Sequence, residues 1–317
     1  MKEFFAGLRK VGGQSVSAEI IEKDYRLHRL LHEISQSRLL KDCLVFKGGT
    51  CLIKAYAGYY RFSEDVDFTR RQDSDWLNSL GKSAARTGKR CSEEISKYLE
   101  EFKSISRRLA LGFSGDKAKS FALGGDVDIH GGGKMVDFWL RYRSDVSEIP
   151  DKIKVQINLV DVIEFPVASM PLSSYVAGSD LDDLKFKYGE ASDEYCRAIV
   201  YPCYDSREIF VEKCRAAMTR IVYKPRDVLD IYVMERKFGY SIAEYRPSIV
   251  KKTRYMLDMY SKYRDSFQSK EFPDEHVLTD AEKKLLLKSI PGDFGIEAVR
   301  IHNELKVLHK DILEGNV

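Results

Sequence analysis

The sequence predicts an α+β protein in which a mixed-sheet core is followed by a helical region, and three observations predict it. Residues 44–69, LVFKGGTCLIKAYAGYYRFSEDVDFT, read as strand, glycine turn, helix and strand. Residues 134–143 and 152–160 alternate apolar and polar side chains with the period of two that a half-buried strand requires. From Ser206 to the end the apolar residues recur instead at helical spacing. The expected division is a core at 1–204, with its own N-terminal helix, and a helical region at 205–317 that completes the active-site cleft. At 317 residues the chain exceeds the usual size of one domain and can bury a substantial core.

In chain order, a helix is expected at about 16–37, then a short apolar strand at Leu44–Phe46. Lys47-Gly48-Gly49 turns the chain, and Thr50 opens a helix running to about Tyr59. After a turn at Tyr60 and Arg61, Asp65-Val66-Asp67-Phe68 forms a second strand. A long polar helix or helix pair is expected at about 74–108, and strands at about 119–123, 134–143 and 152–160. Asp161 to Tyr204 reads as irregular apart from a strand at Ala198–Tyr204. Helices then follow at 206–222, 226–238, 241–265, 280–289, opened by a Thr279-x-x-Glu282 capping box, and 294–313. There is no internal repeat and no low-complexity linker.

The 44–69 segment carries the chemistry. Glycines at 48 and 49 let the backbone turn where a side chain would collide with a phosphate, and a helix N-terminus behind them offers free N–H groups to an anion. Asp65 and Asp67, two residues apart on a strand, project from one face. Two parallel carboxylates make a hard-oxygen site for Mg²⁺ or Mn²⁺, able to bridge to the oxygens of a nucleoside triphosphate (NTP). Further on, the 206–222 helix has Ile209, Phe210, Cys214, Ala217, Met218 and Ile221 on one apolar side, which leaves Lys213 and Arg220 together on a flank. Lys213 is expected to reach out from it, its compact ammonium suited to a triphosphate. Pro225 starts the next helix, on which Asp227 and Asp230 lie one turn apart; they can cap it, pair with Arg226 or Lys213, or orient an attacking hydroxyl.

Gly-Gly-Thr, a helix and Arg-x-Ser-x-Asp-x-Asp-Phe at this spacing resemble the signature of nucleotidyltransferases with the DNA polymerase β-like fold. More narrowly, the chain resembles the AbiEii toxins of abortive-infection and toxin–antitoxin systems. Glu22-Lys23-Asp24-Tyr25, Glu212-Lys213-Cys214-Arg215-Ala216 and Lys224-Pro225-Arg226-Asp227-Val228-Leu229-Asp230-Ile231-Tyr232 match further elements of that family, and the resemblance spans roughly Ile20 to Tyr232. It implies a polymerase β-like core with a mixed sheet, catalytic roles for Asp65, Asp67, Lys213, Asp227 and Asp230, and metal ligation by Asp65 and Asp67. It also implies nucleotide contacts at Lys47, Gly48, Gly49, Thr50, Arg61, Ser63 and Arg226. The activity it implies is transfer of a nucleoside monophosphate from an NTP, with Mg²⁺ or Mn²⁺, onto RNA, in the first place a tRNA 3′ end, blocking translation as phage defence; the partner is a cognate antitoxin. Transfer onto a protein or small molecule, and a nucleotide-binding regulator without turnover, are the alternatives.

The chain departs from the superfamily pattern at the third carboxylate. The 152–160 strand carries Gln156 and Asn158 there, leaving Asp161 and Asp137 as candidates. A second Gly-Gly with Asp-x-Asp, at 124–130, lacks the intervening helix and reads as a glycine-rich hairpin tip. Other signals point to a soluble, cytoplasmic protein: no segment is long and apolar enough to span a membrane, the N-terminus has no apolar signal core, and six cysteines show neither a Cys-x-x-Cys pair nor a disulfide-like array. His28 and His32, four apart, lack the partners of a zinc motif. The net charge of +3 is small, but Arg70-Arg71, Lys82 to Arg90, Arg107-Arg108 and Lys251 to Arg254 are clustered and could track RNA phosphates. Tyr59, Tyr60 and Phe62 either stack on a base or fill the core.

Overall fold

The computed structural model of the chain describes all residues except 14–15, 81–82, 117–124, 221 and 273–277, and the side chain of residue 84. It divides into two units, one made of 1–161 and 167–203, the other of 162–166 and 204–317.

The first unit runs α1 (Lys2–Val11), α2 (Ala18–Gln36), α3 (Arg38–Cys43), β1 (Leu44–Lys47), α4 (Gly48–Cys51), a π-helical turn at Leu52–Ala57, and β2 (Asp65–Arg70). It continues with α5 (Ser74–Leu80), α6 (Ala84–Arg108), β3 (Val127–His130), β4 (Met135–Arg143), β5 (Pro150–Asn158), β6 (Ala168–Leu172), α7 (Asp182–Cys196) and β7 (Ile199–Cys203). The strands form one mixed seven-stranded sheet in the order β3-β4-β5-β2-β1-β7-β6. β2 lies at its centre, antiparallel to β1 and parallel to β5.

Alternation gives this sheet two unlike faces. Val66 and Phe68 of β2, Val155 and Ile157 of β5, and Val136 and Phe138 of β4 are all fully buried, and Phe138 stacks on Phe102 of α6 with ring centroids 4.9 Å apart. The alternate residues, Asp65, Asp67, Lys154, Gln156, Asp137 and Trp139, lie on the other face by the same period. Full burial of six large apolar residues ties this register down, since a slip by one residue would invert both faces.

The second unit is helical: α8 (Ser206–Thr219), α9 (Pro225–Phe238), α10 (Arg246–Met259), α11 (Ser261–Gln268), α12 (Asp280–Lys284) and α13 (Phe294–Glu314). α8 is its axis, packed against α9, α10, α11 and α13. The Thr279–Glu282 capping box forms in both directions, Glu282 N–H donating to Thr279 Oγ1 at 3.2 Å and Thr279 N–H to Glu282 Oε2 at 2.9 Å.

Four differences from the expected elements have local causes. The helix expected from Thr50 to Tyr59 starts at Gly48 and widens into the π turn, which ends at Gly58 with φ of 74°. The expected 241–265 helix breaks at Tyr260, whose backbone is extended (φ −135°, ψ 105°). Residues 161–204, expected to be irregular up to 198, contain β6 and α7; β6 carries Pro171 but lies at the sheet edge, where a missing N–H costs no ladder bond, and α7 is kinked at Tyr188. Residues 127–130, read as part of a hairpin tip, are the strand β3, and the tip is Gly131–Gly133, all with positive φ. The strand expected at about 119–123 lies outside the described residues. Among the described residues no helix is long and apolar enough to cross a membrane, and all six cysteines are free thiols.

Candidate functional site

Asp65 and Asp67 sit side by side on the polar face of β2, both partly exposed. The glycine turn is fitted against them. Gly48 has φ of 77°, a conformation side chains rarely adopt, and a Cβ there would overlap the Asp67 carboxylate. A Cβ on Gly49 would come within 2.7 Å of the Arg61 guanidinium and 3.4 Å of Ser63 Oγ. At 48, then, a side chain would meet the Asp67 carboxylate, and at 49 the tip of Arg61 would have to give way. The Thr50 hydroxyl donates to the Asp65 carbonyl, pinning the turn to the strand that carries both carboxylates. Arg61 is buried and donates to the Phe62 carbonyl at 2.8 Å.

The neighbouring strands put a cation on either flank. Across the β1–β2 ladder Lys47 faces Asp67, and its ammonium lies 3.1 Å from Asp161. Across the β2–β5 ladder Lys154 faces Asp65 and Gln156 faces Asp67. Lys154 Nζ is 3.0 Å from Asp137, which also accepts from Gln156 Nε2 at 2.7 Å and has His130 Nε2 at 3.3 Å. Burial pulls the Lys154 ammonium down, but Asp137, Asp65 and Asp67 together outweigh it and raise its pKa. Burial would likewise raise Asp137; hydrogen bonding with His130 and the charge of Lys154 instead hold it below the ordinary carboxylate range. Both candidates for a third carboxylate, Asp137 and Asp161, are therefore held by protein cations.

Two hard carboxylates on one face suit a divalent cation whose remaining ligands come from phosphate and water. Among the described residues no group of three or more His, Cys, Asp and Glu side chains gathers as a metal site.

In the second unit Lys213 does not reach outward. It is buried, its ammonium 2.9 Å from Asp227 and 2.6 Å from Asp230, whose side chains are 2% and 0% exposed. Arg220 pairs with the other oxygen of Asp227. Burial alone would raise the Asp227 pKa, but Lys213 and Arg220 hold it down at about 2. Of the alternatives open for these two aspartates, pairing with Lys213 is the one observed. Arg226 lies beside them, its backbone N–H donating to Glu282 at 3.2 Å.

The family described as the nucleotidyl transferase AbiEii toxin of type IV toxin–antitoxin systems matches residues 29–294. The chain belongs to that family. It is a nucleotidyltransferase of toxin type, for which an NTP and an antitoxin are the implied substrate and partner. No curated protein matches it. Two solved structures from Helicobacter pylori are similar: JHP933, at 15% identity and a TM-score of 0.43 over 95% of this chain and 96% of that one, and a protein named only as a candidate nucleotidyltransferase, at 14% identity and 0.44 over 94% and 98%.

The Glu-Lys-Asp element of this AbiEii-family chain has a structural use. Glu22 accepts from Ser144 Oγ at 2.6 Å and Asp145 N–H at 2.9 Å, Lys23 pairs with Glu64 at 3.3 Å, and buried Asp24 holds Lys54 at 2.9 Å and the Tyr195 hydroxyl at 2.6 Å. Much of the clustered positive charge is spent internally as well. Arg70 pairs with Asp73 and Glu94, Arg108 with Glu33, and fully buried Lys252 with Glu208. Phe62 is core, packed on Tyr59 and Tyr175, and Tyr59 donates its hydroxyl to Asp24. His28 is a core residue as well, with Nε2 3.0 Å from the Arg197 carbonyl. What the sequence reading missed is Lys154. Its signal was the polar run Lys152, Lys154, Gln156 on one strand face, which acquires meaning only when β5 lies beside β2.

Proposed function

We propose that the chain transfers a nucleoside monophosphate from an NTP onto the 3′ end of an RNA, a tRNA in the first place, and so stops translation until its antitoxin intervenes. The observation that carries this is the pairing of Asp65 and Asp67 on one partly exposed face with a glycine turn that fits only because residue 48 has no side chain. The RNA hydroxyl attacks the α-phosphorus, its proton is lost, the bond to the β-phosphate oxygen breaks, and pyrophosphate leaves. Asp65 and Asp67 would hold Mg²⁺ or Mn²⁺, which would supply charge neutralisation at the phosphates. Lys47, Gly48, Gly49, Thr50, Arg61 and Ser63 shape and brace the turn toward the nucleotide. Lys213, Asp227 and Asp230, to which the family resemblance gives catalytic roles, and Arg226, to which it gives a nucleotide contact, lie in the helical unit, where the two aspartates hold Lys213.

Each α-labelled NTP is incubated with the protein, Mg²⁺ and total RNA, and products are resolved on denaturing gels. Label from one NTP in the tRNA band, absent with Asp65→Ala, is the expected result. Label in a protein band would replace the RNA acceptor by a protein, and no label from any NTP would leave a nucleotide-binding regulator.

A further inference from the structure

Asp65 and Asp67 do not stand on an open acidic surface. Each faces a lysine or its partner on a neighbouring strand: Lys154 stands across the β2–β5 ladder from Asp65, and Lys47 stands across the β1–β2 ladder from Asp67. Each lysine has its own counterion, Asp137 at 3.0 Å and Asp161 at 3.1 Å. Lys154 is further steadied against Trp139, whose ring centre is 5.6 Å from Nζ, and Asp137 is itself fixed by Gln156 at 2.7 Å. This is a built arrangement. Adjacent strands are about 4.8 Å apart, so the Lys154 ammonium occupies the β5 side of the carboxylate pair. A second ion on that side would meet a fixed like charge.

We infer that Lys154, held in place by Asp137, keeps a second metal ion off the β5 side of the carboxylate pair, so that the protein's own site at Asp65 and Asp67 takes one divalent cation. This rests on the reading that these two aspartates are the cation ligands. Lys154 is a positioning residue in this arrangement: it sets how many ions the strand face accepts and how tightly.

The test uses the full-length chain without nucleotide, titrated with Mn²⁺ to millimolar concentration while free Mn²⁺ is followed by electron paramagnetic resonance. Wild type binds one Mn²⁺ that Asp65→Asn abolishes. Lys154→Gln binds that ion about tenfold more tightly, the size expected from removing one charge at ion-pair distance under water-like screening. Lys154→Glu binds two, and Lys154→Arg, which keeps the charge, stays at one with affinity near wild type. Two Asp65-dependent ions in wild type, or an unchanged affinity in folded Lys154→Gln, overturns the inference while leaving the metal reading intact. The wild-type count needs no variant to fold. Absence of any Asp65-dependent Mn²⁺ overturns both.

Discussion

The carboxylates of β2 and the charged cluster of α8 and α9 are built from the same residue types, yet they are opposites. Asp65 and Asp67 stand on a strand face that stays partly exposed, between Lys154 and Lys47, which also pair with Asp137 and Asp161. Lys213, Asp227 and Asp230 are sealed inside a helical unit, with side-chain exposures of 10%, 2% and 0%, and Arg220 closes the remaining oxygen of Asp227. A partly exposed like-charged pair gains from an added cation and loses little when one member is removed. A buried mixed cluster carries its countercharge with it, so removal of one member strands the others in a low dielectric. Side-chain chemistry alone does not separate the two cases; burial does.

The largest effect expected on function is at β2. Asp65→Ala and Asp67→Ala should each lower nucleotide transfer by about a thousandfold, the upper end of the range for loss of a preorganised electrostatic group, with melting temperatures close to wild type. Retained transfer in either variant would break the contrast at its active end.

Lys213→Ala should behave differently, losing about 3–5 kcal/mol of stability because Asp227 and Asp230 stay buried without their cation. Transfer should also fall, by about ten- to a thousandfold or 1.4–4 kcal/mol. Lys213→Arg should recover little of either, since a planar guanidinium does not fill a point-charge site. Denaturant unfolding separates the two effects. Full transfer by folded Lys213→Ala would make the cluster purely a stabilising one.

Gly48→Ala should cost about 1–3 kcal/mol, since alanine disfavours a φ of 77° and its Cβ displaces Asp67, and transfer should fall with it. A variant with wild-type stability and transfer would show that the turn need not approach Asp67.

The two units should also part in acid. Burial, with a further push from Lys54, lowers the pKa of His28 from 6.5 to about 4. A lowered pKa gives stability that is complete above the unfolded value and lost on acidification, so His28 weakens the first unit as pH falls from about 6.5 toward 4. Asp227, lowered from 3.8 to about 2, follows the same sign in the second unit between those values. Hydrogen exchange resolved by unit against pH should show the first unit loosening first, and His28→Gln should remove that early phase. The smallest effect is at Thr50→Val, about 1 kcal/mol for one buried hydrogen bond to the Asp65 carbonyl, measured by thermal melting.

Local pattern alone determined the pieces: the strand, glycine turn and Asp-x-Asp strand of 44–69, the two alternating strands, the helical character from 206 onward, though not the break at Tyr260 or the end of α12 at Lys284, and the Thr279–Glu282 cap. These depend on periods and turn chemistry acting over a few residues, which a sequence states directly. Strand neighbours were decided only in three dimensions. β5 pairs with β2 across more than eighty residues of chain, and that pairing sets Lys154 beside Asp65 and turns Asp137 from a free acid into the clamp on a lysine. Burial was decided there too. The helical period of α8 marked Lys213 as a flank residue, but α8 is packed by four other helices, so the flank lies inside and the lysine meets Asp227 and Asp230 rather than solvent. A period reports which residues share a face; only packing decides what that face meets, because the countercharge and the dielectric come from segments distant in the chain.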